Sequence, residues 1–258
     1  MAGDFRAASP SLTAVADRQN RLDFNLDYWC MWQSVSADSV KGWPGGRLLP
    51  YRDGGADVGF LPLMQRRRLS PLAKAVCAAA WDCWREAGEM PVVLHSNHGE
   101  SGYYFEILED LAAGESVSPS RFSLSVHNAI GGLFSLQTGS QLPYLSLAGG
   151  NEDLFAAFIE AGGLLLQVPK VLVVCYEQAL PAAYQPYHPT TTTWALAMVL
   201  ARAEDSGSRR LRLTREPSAE APTAEPSRLT LPEAVVGGRL SGCCHLRRSV
   251  WHWRLDVD

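Results

Sequence analysis

Residues 143–176, PYLSLAGGNEDLFAAFIEAGGLLLQVPKVLVVCY, decide the fold. Pro143 to Ala148 reads as a short strand. Gly149-Gly150 then turn the chain into a helix, Asn151 to Ala161, which Gly162-Gly163 end. Lys170 to Tyr176 (KVLVVCY) is a continuous apolar run of strand length, the pattern of a strand buried on both faces.

The flanks repeat the alternation. Ser70 is placed to cap a helix over 70–87, where Pro71 suits the first turn and Gly88 stops it. Leu72, Val76, Ala80, Cys83 and Ala87 share one face of that helix. Pro91 to His95 reads as a buried strand, and Tyr103 to Ala113 as a helix stopped by Gly114. Ser118-Pro119 open a loop into Phe122 to Val126, and His127 to Gln137 reads as a helix containing Gly131-Gly132. Adjacent glycines inside a helix cost about 1 kcal/mol each, so another group must pass very close to that backbone.

Trp194 to Ala203 fits either helix or strand by periodicity. The turn at 205–208 and the alternating Arg209 to Thr214 favour a strand that completes a hairpin. A short helix near 232–240 and an aromatic tail, Trp251-His252-Trp253, follow. Buried strands alternating with helices predict an α/β fold with a mixed sheet layered by helices. Residues 1–25 are polar and aperiodic and read as an N-terminal arm, leaving 26–258 as one domain. Residues 216–228 (EPSAEAPTAEPSR) are low in complexity and read as a mobile loop. The aromatic stretch Tyr28-Trp29-Cys30-Met31-Trp32 is expected to dock onto the core.

Composition narrows the function. The chain has 258 residues, 47% apolar and 19% charged, with a formal charge of −4. That balance argues against a nucleic-acid binder, which needs a basic face for phosphates. No apolar run is long enough for a membrane span, and the N-terminus lacks a secretory pattern. The six cysteines are not spaced as a disulfide framework. The expectation is a reduced, cytoplasmic protein.

Candidate chemistry is sparse. His95 and His98 form an H-x-x-H, but a strand end does not converge such a pair on a metal, and no cysteine or carboxylate completes a site. Cys243-Cys244-His245 are poorly placed to share one metal, and Cys175 ends a buried strand as a core thiol. No metal and no cofactor is expected: there is no phosphate-binding glycine loop and no G-x-S-x-G elbow. Arg66-Arg67-Arg68 is the most informative charge feature. Cations just before a helix N-terminus oppose its dipole, so the choice lies between a solvated basic turn and an anion-docking patch.

Leu61 to Ser70 (LPLMQRRRLS), His98-Gly99-Glu100 and Ser118 to Ala129 (SPSRFSLSVHNA) resemble, in that order, short β-ketoacyl-synthase-like proteins. These are similar to the N-terminal half of a condensing enzyme of thiolase fold. They include chain-length-factor-like subunits of aryl-polyene and related fatty-acid-like pathways. The resemblance spans nearly the whole chain and carries several expectations. Pro143 to Asn151 corresponds to the strand and turn that deliver a nucleophilic cysteine, yet no cysteine lies between Cys83 and Cys175. The degenerate elbow is placed at Gly149, Gly150, Asn151 and Glu152. There Asn151 would cap the helix, and Glu152 and Asp153 would fill its first turn with anions that oppose a thiolate.

The chain corresponds to one half of a condensing enzyme, so the catalytic residues of the other half are also expected to be missing. His127-Asn128 is expected either to fix the loop beside the elbow or a subunit interface, or simply to cap local backbone. The implied function is a non-catalytic subunit that partners an active β-ketoacyl synthase as a dimer. Arg66, Arg67 and Arg68 would dock an acidic acyl carrier protein. The alternatives are a homodimeric acyl-binding scaffold, or an acyltransferase or thioesterase using Cys175.

Overall fold

The computed structural model describes residues 20–35, 42–52, 55–182, 184, 192–203, 208–218 and 230–258. Its centre is β5 (Lys170–Glu177), and the reason is the apolar run itself. Val171, Val173 and Cys175 enter one hydrophobic core, while Leu172, Val174 and Tyr176 enter another on the opposite face. β3 (Val92–His95) and β4 (Tyr144–Leu147) extend the sheet parallel to β5 on one side. On the other side it continues antiparallel through β6 (Trp194–Arg202), β1 (Arg21–Gln33), β7 (Arg209–Pro217), β9 (Ser249–Val257) and β8 (Ser241–His245). The short β2 (Gly46–Leu48) pairs with β1 off this path. The sheet is mixed, as expected.

Helices cover both faces. α1 (Leu63–Arg66) leads into α2 (Pro71–Ala87), where the Ser70 hydroxyl accepts from the Ala73 N–H at 2.8 Å and Pro71 opens the first turn. Such a cap is worth about 1 kcal/mol. The buried side of α2 is rich in alanine (Ala73, Ala75, Ala78, Ala79, Ala80), which lets it lie close against Ala195 and Ala197 of β6. α3 (Ser101–Ala112), α4 (Pro119–Leu124) and α5 (Ala129–Thr138) connect β3 to β4. α6 (Phe155–Leu164) packs on the other face, with Phe155 stacked on Trp251 at 4.8 Å between ring centroids. α7 (Thr230–Val236) adds Leu231, Ala234 and Val235 to the same core.

The group that passes close to the α5 glycines is Tyr144. A Cβ built on Gly131 would sit 2.5 Å from its ring, so a side chain there would drive α5 off β4.

Five local expectations need correction. Arg21–Asn25, read as part of the arm, begin β1, because their backbone pairs in antiparallel register with β7. β6 and β7 are both strands but do not form a hairpin with each other: β1 lies between them and bonds to both. Ser118 to Leu124 is a capped helix rather than a loop, with the Ser118 hydroxyl accepting from the Arg121 N–H at 3.4 Å. The last helix spans Thr230–Val236, and the aromatic tail is a strand whose Trp251 and Trp253 are buried. Finally, Glu216 and Pro217 end β7, and the rest of the expected loop, from 219 on, lies outside the described residues.

Candidate functional site

The parallel strands β3, β4 and β5 end together: His95 pairs in register with Leu147 on one side and Cys175 on the other. Open α/β sheets present their ligand-facing groups at these carboxyl ends. Here the loops bring together His95, Asn97, His98, Asp153 and Glu177.

The sharp turn between β4 and α6 is not at Asn151. Residues 150–152 form a single 3-10 turn, and α6 starts only at Phe155. The strained residue is Asp153, the one non-glycine with positive φ (49°) among the described residues. Such a conformation costs about 1–3 kcal/mol and must be held by its surroundings. Asn97 Nδ2 donates to Asp153 Oδ1 at 2.6 Å, and the Asp153 carbonyl accepts from the Ala156 N–H at 3.1 Å. The residue delivered to the N-terminal end of α6 is therefore a buried carboxylate, two positions beyond the expected one.

Gly149 closes the turn. Its N–H donates to His95 Nε2 at 3.0 Å, which fixes the proton of a neutral imidazole on Nδ1. Burial agrees, lowering the His95 pKa to about 4. Beside it, His98 Nδ1 lies 3.0 Å from Glu177 Oε2, and the other Glu177 oxygen accepts the Asn97 N–H. Ser96 Oγ accepts from the Gly99 N–H at 2.7 Å.

The remaining sequence candidates divide. His127 is brought to the site, its Nε2 donating to the Leu147 carbonyl at 2.8 Å at the end of β4. Asn128 is not: it is exposed and makes no side-chain cap on α5.

Glu152 does not crowd the elbow with charge. Its carboxylate turns away to accept from both Arg215 Nη2 (2.8 Å) and Nε (3.0 Å), Trp251 Nε1 (2.7 Å) and Ser249 Oγ (3.2 Å). Desolvation would raise its pKa, but the bonds from Arg215, Trp251 and Ser249 together outweigh that and hold it below the usual range. Glu152 ties the turn to β7 and β9.

Cys175 sits beside the cluster but is 2% exposed. Burial first, then the nearby Asp153 and Glu177 charges, push its thiol far above the ordinary range. Arg66, Arg67 and Arg68 lie apart, at the end of α1 and in the link to α2, with Arg66 half-buried and the other two exposed. Among the described residues no group of three or more His, Cys, Asp or Glu is arranged to hold a metal. The sequence reading missed Asn97 and Glu177 as site residues and named Asp153 only as a charge in the first turn of the helix. The Gly149-Gly150 pair signalled a turn, but a 3-10 turn between it and α6 has no periodicity to betray its length.

A mixed sheet covered by helices, with a strand-turn-helix elbow at the carboxyl ends of its parallel strands, defines a thiolase-like fold of the condensing-enzyme class. The chain belongs to the family described as beta-ketoacyl synthase, N-terminal domain, which matches residues 29–254. It is similar to a chain of the ketosynthase (ApeO) in complex with its chain length factor (ApeC) from Xenorhabdus doucetiae. That match has 24% identity and a TM-score of 0.71, covering 90% of this chain and 99% of that one. The ishigamide ketosynthase/chain length factor matches at 17% identity and a TM-score of 0.50, over 64% of this chain and 54% of that one. A beta-ketoacyl synthase from Burkholderia phymatum STM815 matches at 11% and 0.50, over 68% and 55%. At these identities the likeness is one of fold. No curated protein is similar enough to count as a relative.

Proposed function

We propose that the chain is a non-catalytic ketosynthase-like subunit that pairs with an active β-ketoacyl synthase acting on carrier-bound acyl chains. The observation that carries this reading is Asp153. The elbow that would present a thiolate at a helix N-terminus presents a carboxylate, and the nearest thiol, Cys175, is sealed in the core. A carboxylate there is a poor acyl acceptor, and its charge opposes a developing oxyanion.

Two further features support a partnered subunit. Among the described residues β4 pairs only with β3, so the other side of this half-buried strand is an edge that another chain can meet. Leu111 of α3, Phe122 of α4 and Leu136 of α5, on the three helices that connect β3 to β4, are 55%, 60% and 79% exposed apolar side chains. The Xenorhabdus match supports the same reading, since a chain from a ketosynthase–chain length factor complex aligns over nearly its full length. In this reading His127 steadies the elbow, and Arg66, Arg67 and Arg68 face the acidic carrier protein. It also puts the chain in the cytoplasm, where its six cysteines stay reduced. No helix among the described residues is long and apolar enough to cross a membrane.

The test is co-purification from the native host with a tag on this chain. A full-length ketosynthase in stoichiometric yield is the expected result. A purified chain that arrives without one, and that accepts an acyl group from a thioester donor on any residue, would overturn it.

A further inference from the structure

The last hairpin gathers three metal-ligating side chains that the elbow does not use. Along β8 and β9 the side chains alternate, and Cys244, Trp251, Trp253 and Leu255 enter the core. Cys243, His245 and His252 stand together on the opposite face, which adds nothing to either core in these two strands. Cys243, Cys244 and His245 do not act as three ligands, because the pleat turns Cys244 inward, where it is 3% exposed. What remains is a pair two residues apart on one side of the strand.

That pair already stands at chelating distance. Cys243 Sγ lies 3.7 Å from His245 Nε2. A tetrahedral ion held at about 2.3 Å by sulfur and about 2.0 Å by nitrogen needs those two atoms about 3.5 Å apart. Cys243 alone of the six cysteines is not buried, so an ion reaches the pair without opening the fold.

A third ligand stands across the ladder. His252 is the register partner of Cys243, and such neighbours have their Cβ atoms about 5 Å apart. Its Nε2 lies 3.5 Å from Glu216 Oε2 on β7 and makes no hydrogen bond, so turning the ring towards Cys243 forfeits only one exposed ion pair. Arg254, two residues further along β9, is paired with Asp256.

We infer that Cys243 and His245 chelate a zinc ion, with His252 turning in as the third protein ligand and water as the fourth. The donor set selects the metal: thiolate with imidazole suits Zn2+, whereas Mg2+ and Ca2+ take oxygen ligands. Binding releases the Cys243 proton to solvent. The ion ties β8, an edge strand, to β9, at the opposite edge of the sheet from β4, and it does so whether or not the chain pairs with a ketosynthase.

The probe is Zn2+ alone, added to the full chain with its thiols reduced. Iodoacetamide, read by peptide mass spectrometry, is expected to label Cys243 ahead of the other cysteines and to label it about tenfold more slowly once zinc is bound. Co2+ in place of zinc is expected to give a thiolate charge-transfer band that Cys243→Ser abolishes, and His245→Gln and His252→Gln should each weaken binding about tenfold. Zinc should also raise the melting temperature of the unmodified chain and not that of Cys243→Ser. None of the three side chains is buried, so the metal-free melting temperatures of the variants should match and certify their fold. Alkylation of Cys243 that excess zinc does not slow overturns the inference. So does a cobalt band that survives Cys243→Ser, or binding unchanged in either histidine variant.

Discussion

The Gly149 N–H donates to His95 Nε2 at 3.0 Å, and this bond fastens the end of β3 to the turn after β4. It works only because residue 149 is glycine. A Cβ there would collide with the Asp153 carbonyl and stand 2.7 Å from the same His95 nitrogen. The elbow is thus folded back on itself around a neutral histidine.

Gly149→Ala is expected to destabilise the chain by about 2–3 kcal/mol, since the colliding atom is backbone and cannot rotate away. Urea unfolding reads this out. A loss below half a kilocalorie would mean that the turn is plastic and its geometry not imposed by packing.

The position of the elbow separates two cysteine variants. Asp153→Cys puts a thiol at the N-terminal end of α6, where the helix dipole favours thiolate; Asn151→Cys puts one in the 3-10 turn. At neutral pH iodoacetamide is expected to alkylate the first faster than the second, by mass spectrometry. Neither variant should release carbon dioxide from malonyl carrier protein, because His95 and His98 are committed to Gly149 and Glu177. Faster labelling at Asn151→Cys would move the elbow back to the position expected from the sequence.

Glu152→Ala removes the acceptor of Arg215, Ser249 and Trp251 at once. Orphaning those donors is expected to cost about 2 kcal/mol and to loosen the turn ahead of Asp153. Faster hydrogen exchange at residues 149–153 should accompany the loss. Unchanged exchange there would show that Glu152 stabilises only β7 and β9.

Two buried groups give opposite pH dependences. His95 has its pKa lowered to about 4 by burial, so its stabilising effect is present above the unfolded value near 6.5 and is lost as pH falls towards 4. Glu100 has its pKa raised to about 7 by burial, against the opposing bond from the Ser70 hydroxyl, so its effect is present below 4.5 and is lost as pH rises through 7. Each effect is about 3 kcal/mol at most, and between pH 4.5 and 6.5 they offset one another. The melting temperature should be nearly flat across that window. Glu100→Gln should make it rise with pH, and His95→Gln should make it fall. Equal profiles for the two variants would contradict these assignments.

The sequence by itself determined the elements whose cause is local. KVLVVCY is a strand because a continuous apolar run has two faces to bury, and α2 starts at Pro71 because Ser70 and Pro71 satisfy a helix end whatever packs above it. The glycine pair in α5 announced a close neighbour, and the motifs around Arg66 and His127 announced the family. Tertiary structure alone decided which neighbour, and where the elbow falls. β1 separates β6 from β7 because pairing register depends on which strand lies alongside, and sequence order is silent on that. Asp153 takes its positive φ where Asn97 bonds its carboxylate and its carbonyl packs against Gly149, itself bonded to His95, a conformation no local propensity favours. Such a conformation is set by long-range hydrogen bonds and packing, and these exist only after the sheet has formed.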